Sequence, residues 1–391
     1  MRKTSFSRFF FFLSGGMAGI GLLFFTGLAD AKAQTIQTEA KAAILLDATT
    51  GTVLFEKNAD EALPPSSMSK MMTVYLVFQR LKDGRLSLDD KFHVSEYAWR
   101  KGGSKMFIEV GKEIRVEDLL RGVIVQSGND AAIVLAEGVA GSEEAFAAEM
   151  NEEGRRMGLT NSVFMNATGW PAEGQHVSVR DLATIALHTI RDFPEYYAYY
   201  SEREFIYNGI HQPNRNPILN GSPGADGLKT GHTEEIGYGL TGSAERDGRR
   251  LILAVNGLPS ERARAQETRN ILEWGFREFN NYALFQANEE VEQARVWLGE
   301  ESTVPLVIQE PLVLTMPRKS RNAMRVSVVY TEPVPAPIVQ GAKIAKLVVR
   351  LSEDEDNVIT VPLVAGKNVE QLGFFGRLSA ATSYLLWGVS R

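Results

Sequence analysis

The sequence predicts an α/β (α+β) domain, an antiparallel sheet flanked by helices, followed by a small all-β domain and a C-terminal amphipathic helix. Three observations predict this. Strand signals before about residue 285 come as hairpins set among helical stretches, not as alternating βαβ units. From there on, short runs rich in Val, Ile, Leu and Pro replace the helical patterns. In the tail, 371–391, Phe374, Leu378, Ala381, Leu385 and Val389 share one helical face flanked by aromatics and arginines, as in helices that lie in a membrane interface. The length of 391 residues exceeds one typical domain and agrees with this division.

The chain opens on an export signal, residues 1–33. Arg2, Lys3 and Arg8 precede apolar runs from Phe9 to Leu13 and Met17 to Leu28, and Ala31-Lys32-Ala33 is a small-x-small site with cleavage expected before Gln34. The alternative is an uncleaved anchor helix. The first domain is expected over 34–285. Ala40 to Leu54 reads as two strands around the Thr50-Gly51 turn. Pro64-Pro65 then ends an extended segment, a serine cluster caps a helix running to about Leu81, and Met68, Met71, Met72 and Leu76 form its buried stripe. Helical patterns follow over 116–125, 130–138 and 143–158, and over 178–190 with Ser178 as cap. A strand is expected to open at Lys229 on the edge of the sheet, where an extended peptide can add alongside. Asp247-Gly248 makes a hairpin of the runs 237–244 and 250–256, and a helix over 262–279 closes the domain. The second domain is expected over 286–370, with strands near 304–307, 312–315, 324–330, 346–351 and 358–364.

Composition removes several kinds of chemistry. The chain has no cysteine, which excludes disulfides, cysteine nucleophiles and cysteine-bound metals. The five histidines lie without metal-ligand spacing, so neither metal nor cofactor is expected. A formal net charge of −6 without a basic block argues against nucleic acid as a partner.

Three short motifs then carry the reading: Ser67-Met68-Ser69-Lys70, Ser127-Gly128-Asn129 and Lys229-Thr230-Gly231. In the first, a hydroxyl and an amine stand three residues apart on one helical face, so Lys70 can reach the Ser67 oxygen. A serine becomes a nucleophile when a nearby base takes its proton, and a desolvated lysine can be that base. At a helix N-terminus, backbone N–H groups also favour a developing oxyanion. The other motifs offer a second proton-handling hydroxyl, an amide for substrate backbone, and a cation for a carboxylate. Each motif is common alone; the three in this order are not.

With these residues the chain resembles the low-molecular-mass penicillin-binding proteins, the serine-type D-alanyl-D-alanine carboxypeptidases, whose motif set it carries with S-G-N in the middle place where S-D-N also occurs. The resemblance extends over nearly the whole chain. It includes the 43–54 hairpin, Arg100-Lys101-Gly102-Gly103-Ser104-Lys105-Met106-Phe107, the stretch Gly209 to Asn216 presenting Arg215, and Tyr330 to Gly341 in the second domain. One departure is Thr168, where the family often has a histidine before the glycine matching Gly169.

The resemblance implies a β-lactamase/transpeptidase-like fold and an acyl-enzyme mechanism on peptidoglycan stem peptides ending in D-Ala-D-Ala. Ser67 attacks, Lys70 takes its proton, and Ser127, held by Lys70 or Lys229, relays a proton to the departing D-Ala. Asn129 binds substrate backbone. Lys229, Thr230, Gly231 and Arg215 receive the terminal carboxylate, and the backbone N–H groups of Ser67 and His232 form the oxyanion hole. β-Lactam antibiotics are expected to acylate the same serine. The tail would attach to the outer face of the cytoplasmic membrane, and the protein would reside in a periplasm. The glutamates between Thr160 and Gly227 (Glu173, Glu195, Glu202, Glu204) lack a Glu-x-x-Leu-Asn context, which disfavours a β-lactamase. A D,D-endopeptidase of the same superfamily and a non-catalytic cell-wall binding protein remain the alternatives.

Overall fold

The computed structural model describes residues 2–6, 36–351 and 358–387, which form two compact units divided between Arg277 and Glu278. The first unit is built on an antiparallel sheet of β1 (Ala42–Asp47), β2 (Val53–Lys57), β3 (Ala225–Thr233), β4 (Gly237–Arg246) and β5 (Arg249–Leu258), in the order β2-β1-β5-β4-β3. β3 is the sheet's edge, as the sequence suggests. It opens at Ala225, however, so Lys229 stands mid-strand. The Gly224–Gly227 run reads as a turn in isolation, and pairing with β4 extends the strand back through it.

Alternation along β1 and β5 serves two faces. Ile44, Leu46, Ile252 and Ala254 join the main core, while Leu45 and Leu251 meet Gly275 of α6 (Glu261–Glu278) on the other side. The main core is organised around α1 (Lys70–Lys82), in which every residue from Lys70 to Phe78 is buried. A helix buried on all sides must be covered on all sides. α2 (Val116–Ile124), α3 (Asn129–Ala140), α4 (Glu143–Arg156) and α5 (Val179–Asp192) do this, and α5 also packs on β1 and β5. Ser142 and Ser178 cap α4 and α5 by accepting the N–H of Ala145 (3.1 Å) and Asp181 (3.1 Å).

The second unit is all-β. Its larger sheet runs Arg2–Phe6, Arg325–Tyr330, Lys343–Arg350, Val358–Ala365, Thr303–Val307, Glu290–Trp297 and Val334–Pro335. Phe279–Phe285 pairs separately with Leu312–Pro317, so the all-β part after α6 begins ahead of the composition change near 285. The strand Arg2–Phe6 belongs to the segment expected to be cleaved; the rest of that segment and the cleavage site lie outside the described residues. The tail forms a helix over Phe374–Trp387, with Phe374, Phe375 and Leu378 exposed. Val389 and the side chains of Ala381 and Leu385 lie outside what is described. Among the described residues no helix is long and apolar enough to cross a membrane.

Candidate active site

Ser67 starts a single 3₁₀ turn, Ser67–Ser69, which runs directly into α1. Ser66 caps this turn, its hydroxyl accepting the Met68 N–H at 3.5 Å. Two glycines let other segments close on it. A Cβ on Gly231 would lie 2.1 Å from Ser66 Oγ, and one on Gly169, where φ is +70°, would lie 2.0 Å from the Ser66 carbonyl oxygen. Strand β3 and the loop at 166–170 therefore meet the Ser67–Ser69 turn at distances that only glycine permits. His232 follows Gly231 on that strand, so its backbone stands beside the same turn.

Lys70 is fully buried and makes three hydrogen bonds. Its Nζ donates to Ser67 Oγ at 2.9 Å, to Asn129 Oδ1 at 2.7 Å and to the Thr168 carbonyl at 2.6 Å. Among the described residues no carboxylate is hydrogen-bonded to it. Burial, with a smaller contribution from the Arg215 charge, pushes its pKa down to about 7. The Lys101 charge acts in the same direction, while Asp130 and Glu143 oppose it.

Lys229 is also buried. Its Nζ donates to the Thr230 carbonyl at 3.2 Å. Burial, followed by the charges of Lys70, Arg215 and Arg264, holds its pKa well below the usual lysine range. Arg215 is exposed and donates from Nη1 to Ser104 Oγ at 2.7 Å. The His232 ring lies 4.0 Å from that of Tyr238. Lys70, Lys229 and Arg215 thus stand close enough for their charges to act on one another.

The middle motif departs from expectation in two respects. Ser127 is buried with φ +61°, a left-handed conformation that costs a non-glycine residue about 1–2 kcal/mol and tends to persist at functional sites. Its hydroxyl is hydrogen-bonded to neither Lys70 nor Lys229 among the described residues. Asn129, expected to bind substrate, has both ends of its amide engaged: Oδ1 takes Lys70, and Nδ2 donates to the Gly102 carbonyl at 2.8 Å. In this state it holds the Lys70 ammonium, and only its second N–H is left for a ligand.

Four supports escaped the sequence reading. The Thr168 carbonyl is a partner of Lys70, in the loop that carries a threonine before Gly169. Asn166 Oδ1 holds that loop by accepting the Thr168 N–H (3.1 Å) and Oγ1 (2.8 Å) and the Trp170 N–H (3.1 Å). Buried Glu143 accepts the Ala167 N–H at 3.0 Å and the Tyr97 hydroxyl at 2.8 Å. Asp130 ties the start of α3 to the 102–107 segment, accepting the N–H groups of Met106 (2.9 Å) and Phe107 (3.0 Å). An aspartate directly after the S-G-N motif was the signal available for Asp130.

The chain is similar to known proteins over most of its length. The profile of the D-alanyl-D-alanine carboxypeptidase family matches residues 29–260, and that of the penicillin-binding protein 5 C-terminal domain matches 279–371. The chain is 40% identical over 378 residues to D-alanyl-D-alanine carboxypeptidase DacC of Escherichia coli, covering 94% of each. The structure of penicillin-binding protein 5 from Haemophilus influenzae is similar with a TM-score of 0.78 at 35% identity, over 87% of this chain and 100% of that one. Penicillin-binding protein D2 from Listeria monocytogenes, solved in its ampicillin-bound form, is similar with a TM-score of 0.58 at 30% identity, over 62% of this chain and 100% of that one. The chain belongs to the D-alanyl-D-alanine carboxypeptidase family of serine peptidases and carries the C-terminal domain of penicillin-binding protein 5.

Proposed function

We propose that Ser67 carries a two-step acyl transfer on peptidoglycan stem peptides, with Lys70 as its base. The carrying observation is the set of partners around Lys70. A charged ammonium has three donors and no lone pair. Two of its partners here, Asn129 Oδ1 and the Thr168 carbonyl, can only accept; the third, the Ser67 hydroxyl, can also donate. Once Lys70 is neutral, its two N–H groups are committed to the two acceptors. The lone pair is then left facing the Ser67 O–H. A pKa near 7 supplies that neutral form at working pH.

The terminal carboxylate of the substrate decides which lysine keeps its proton. Lys70 and Lys229 disfavour each other's charge inside a buried pocket. A carboxylate entering beside Lys229, Thr230 and Arg215 stabilises charge there. The charged Lys229 in turn keeps Lys70 neutral. Ser67 Oγ then attacks the carbonyl of the penultimate D-Ala, its proton passes to Lys70, and the oxyanion forms against the N–H groups of Ser67 and His232. The loss of one such donor typically costs about 10²–10³ in rate. Collapse expels D-Ala, whose amine takes a proton through Ser127, and water hydrolyses the ester. A β-lactam enters by the same attack on its ring carbonyl.

Products separate this reading from a D,D-endopeptidase. The purified protein should release free D-Ala from pentapeptides and leave cross-linked dimers whole. Dimer cleavage without D-Ala release would contradict it.

Export to a periplasm and peripheral attachment to the outer face of the cytoplasmic membrane belong to the same proposal. The N-terminal segment supports the first. The second is supported by the tail helix, whose Phe374, Phe375 and Leu378 are 68%, 83% and 59% exposed. In fractionated cells the protein should begin at Gln34 and sediment with membranes. A chain stopped after Gln371 should move to the soluble periplasmic fraction. An uncleaved N-terminus, or a tail-less chain still on the membrane, would overturn this.

A further inference from the structure

Beside Lys70 stand a cation and two aromatic rings that the mechanism leaves unused. Lys101 Nζ lies 5.2 Å from the Trp170 ring centroid and 5.9 Å from that of Tyr97, the range in which an ammonium is drawn to a ring face. The rings are 44% and 52% exposed. Among the described residues Lys101 has no carboxylate partner.

The cluster is fastened to the groups that position the base. Trp170 follows Thr168 by two residues, and its backbone N–H donates to Asn166 Oδ1 and Thr168 Oγ1, both at 3.1 Å. Its ring packs over Gly103, where an added Cβ would stand 2.9 Å from it, beside the Gly102 carbonyl that holds Asn129. Tyr97 donates to Glu143, which in turn holds Ala167. The cluster also has a side. The Lys101 charge is felt at Lys70, whereas the charges acting on Lys229 are those of Lys70, Arg215 and Arg264.

We propose that Lys101, Trp170 and Tyr97 form a subsite for a free carboxylate of the stem peptide upstream of the scissile bond. This rests on the reading of Ser67 given above. With the terminal carboxylate held at Lys229 and Arg215, the rest of the peptide leaves the attacked carbonyl on the side of Lys70 and the 166–170 loop. A stem peptide carries carboxylates in that part, on its γ-linked glutamate and on a diamino acid such as diaminopimelate. The ammonium receives the charge, and the ring faces cover the adjoining aliphatic chain. This role sets preference among substrates and leaves the bond-making atoms to the residues already described.

The test compares kcat/KM for D-Ala release from L-Ala-γ-D-Glu-diaminopimelyl-D-Ala-D-Ala, from its two singly amidated forms, and from diacetyl-Lys-D-Ala-D-Ala. Each value is divided by that for the diacetyl tripeptide, which cancels any change that a variant makes at Lys70. In the wild type, amidation of one carboxylate should lower the ratio about two- to fivefold, the range of an exposed ion pair, and the sensitive position names the source. Lys101→Gln should use acid and amide equally, and Trp170→Ala should narrow the preference. Equal use of all forms by the wild type, which needs no variant to fold, would overturn the subsite. So would a preference that survives in Lys101→Gln. If the wild type releases D-Ala from none of these peptides, the reading of Ser67 itself falls, and the subsite with it.

Discussion

Ser67→Ala is expected to abolish covalent labelling by a fluorescent penicillin and to lower D-Ala release by roughly 10⁶, the scale seen when subtilisin loses its serine nucleophile. The loss is large because no second hydroxyl can take over. Ser69 is fully buried. Ser66 is also buried, turned to cap the 3₁₀ turn and pressed against Gly231. Ser127 is hydrogen-bonded to neither lysine. The substitution should spare the fold, since the Ser67 side chain is half-buried and, among the described residues, its hydrogen bond is to Lys70. Thermal unfolding close to the wild type would show that the missing label reports chemistry. A label of normal intensity on the variant would place the nucleophile elsewhere.

Lys70→Arg separates the base from the charge. A guanidinium keeps its proton at every accessible pH, so it can donate to Asn129 and the Thr168 carbonyl but cannot accept from Ser67. Acylation should fall by about 10²–10⁴, the usual contribution of a positioned general base, and raising the pH should not restore it. Arginine is also larger than the fully buried lysine that it replaces, so the variant needs its own unfolding curve. A folded variant that acylates within a few-fold of the wild type would remove Lys70 from the base role and leave it as a structural cation.

These effects rest on parts of the site that differ in how far the sequence discloses them. The Ser67–Lys70 contact was legible because it is local: three residues along a helical turn bring the two side chains together whatever the rest of the fold does. The hairpin of β4 and β5 was legible through Asp247-Gly248, and the stripe of α1 through its apolar spacing. Asn129 was legible as a motif but not in its contacts. Its partners Gly102 and Lys70 lie 27 and 59 residues away, and nothing in the spacing says that the amide is already engaged. The Thr168 contact could not be read at all, since a backbone carbonyl leaves no mark on residue identity. The left-handed backbone at Ser127 is equally silent, because the glycine that would announce such a conformation stands one place later. A strand was expected to open at Lys229, and only the ladder to β4 shows it starting at Ala225.

The account turns on a neutral Lys70 accepting the Ser67 proton, and the pH dependence of penicillin acylation of the mature wild-type protein tests this most directly. The acylation rate constant should rise about tenfold per pH unit below neutrality and level off as pH passes about 7, where Lys70 loses its proton. Intact mass and peptide mapping should place the adduct on Ser67 throughout. A rate that keeps rising to pH 10, as for an ordinary lysine, or one that is flat from pH 5 to 9, would contradict the account.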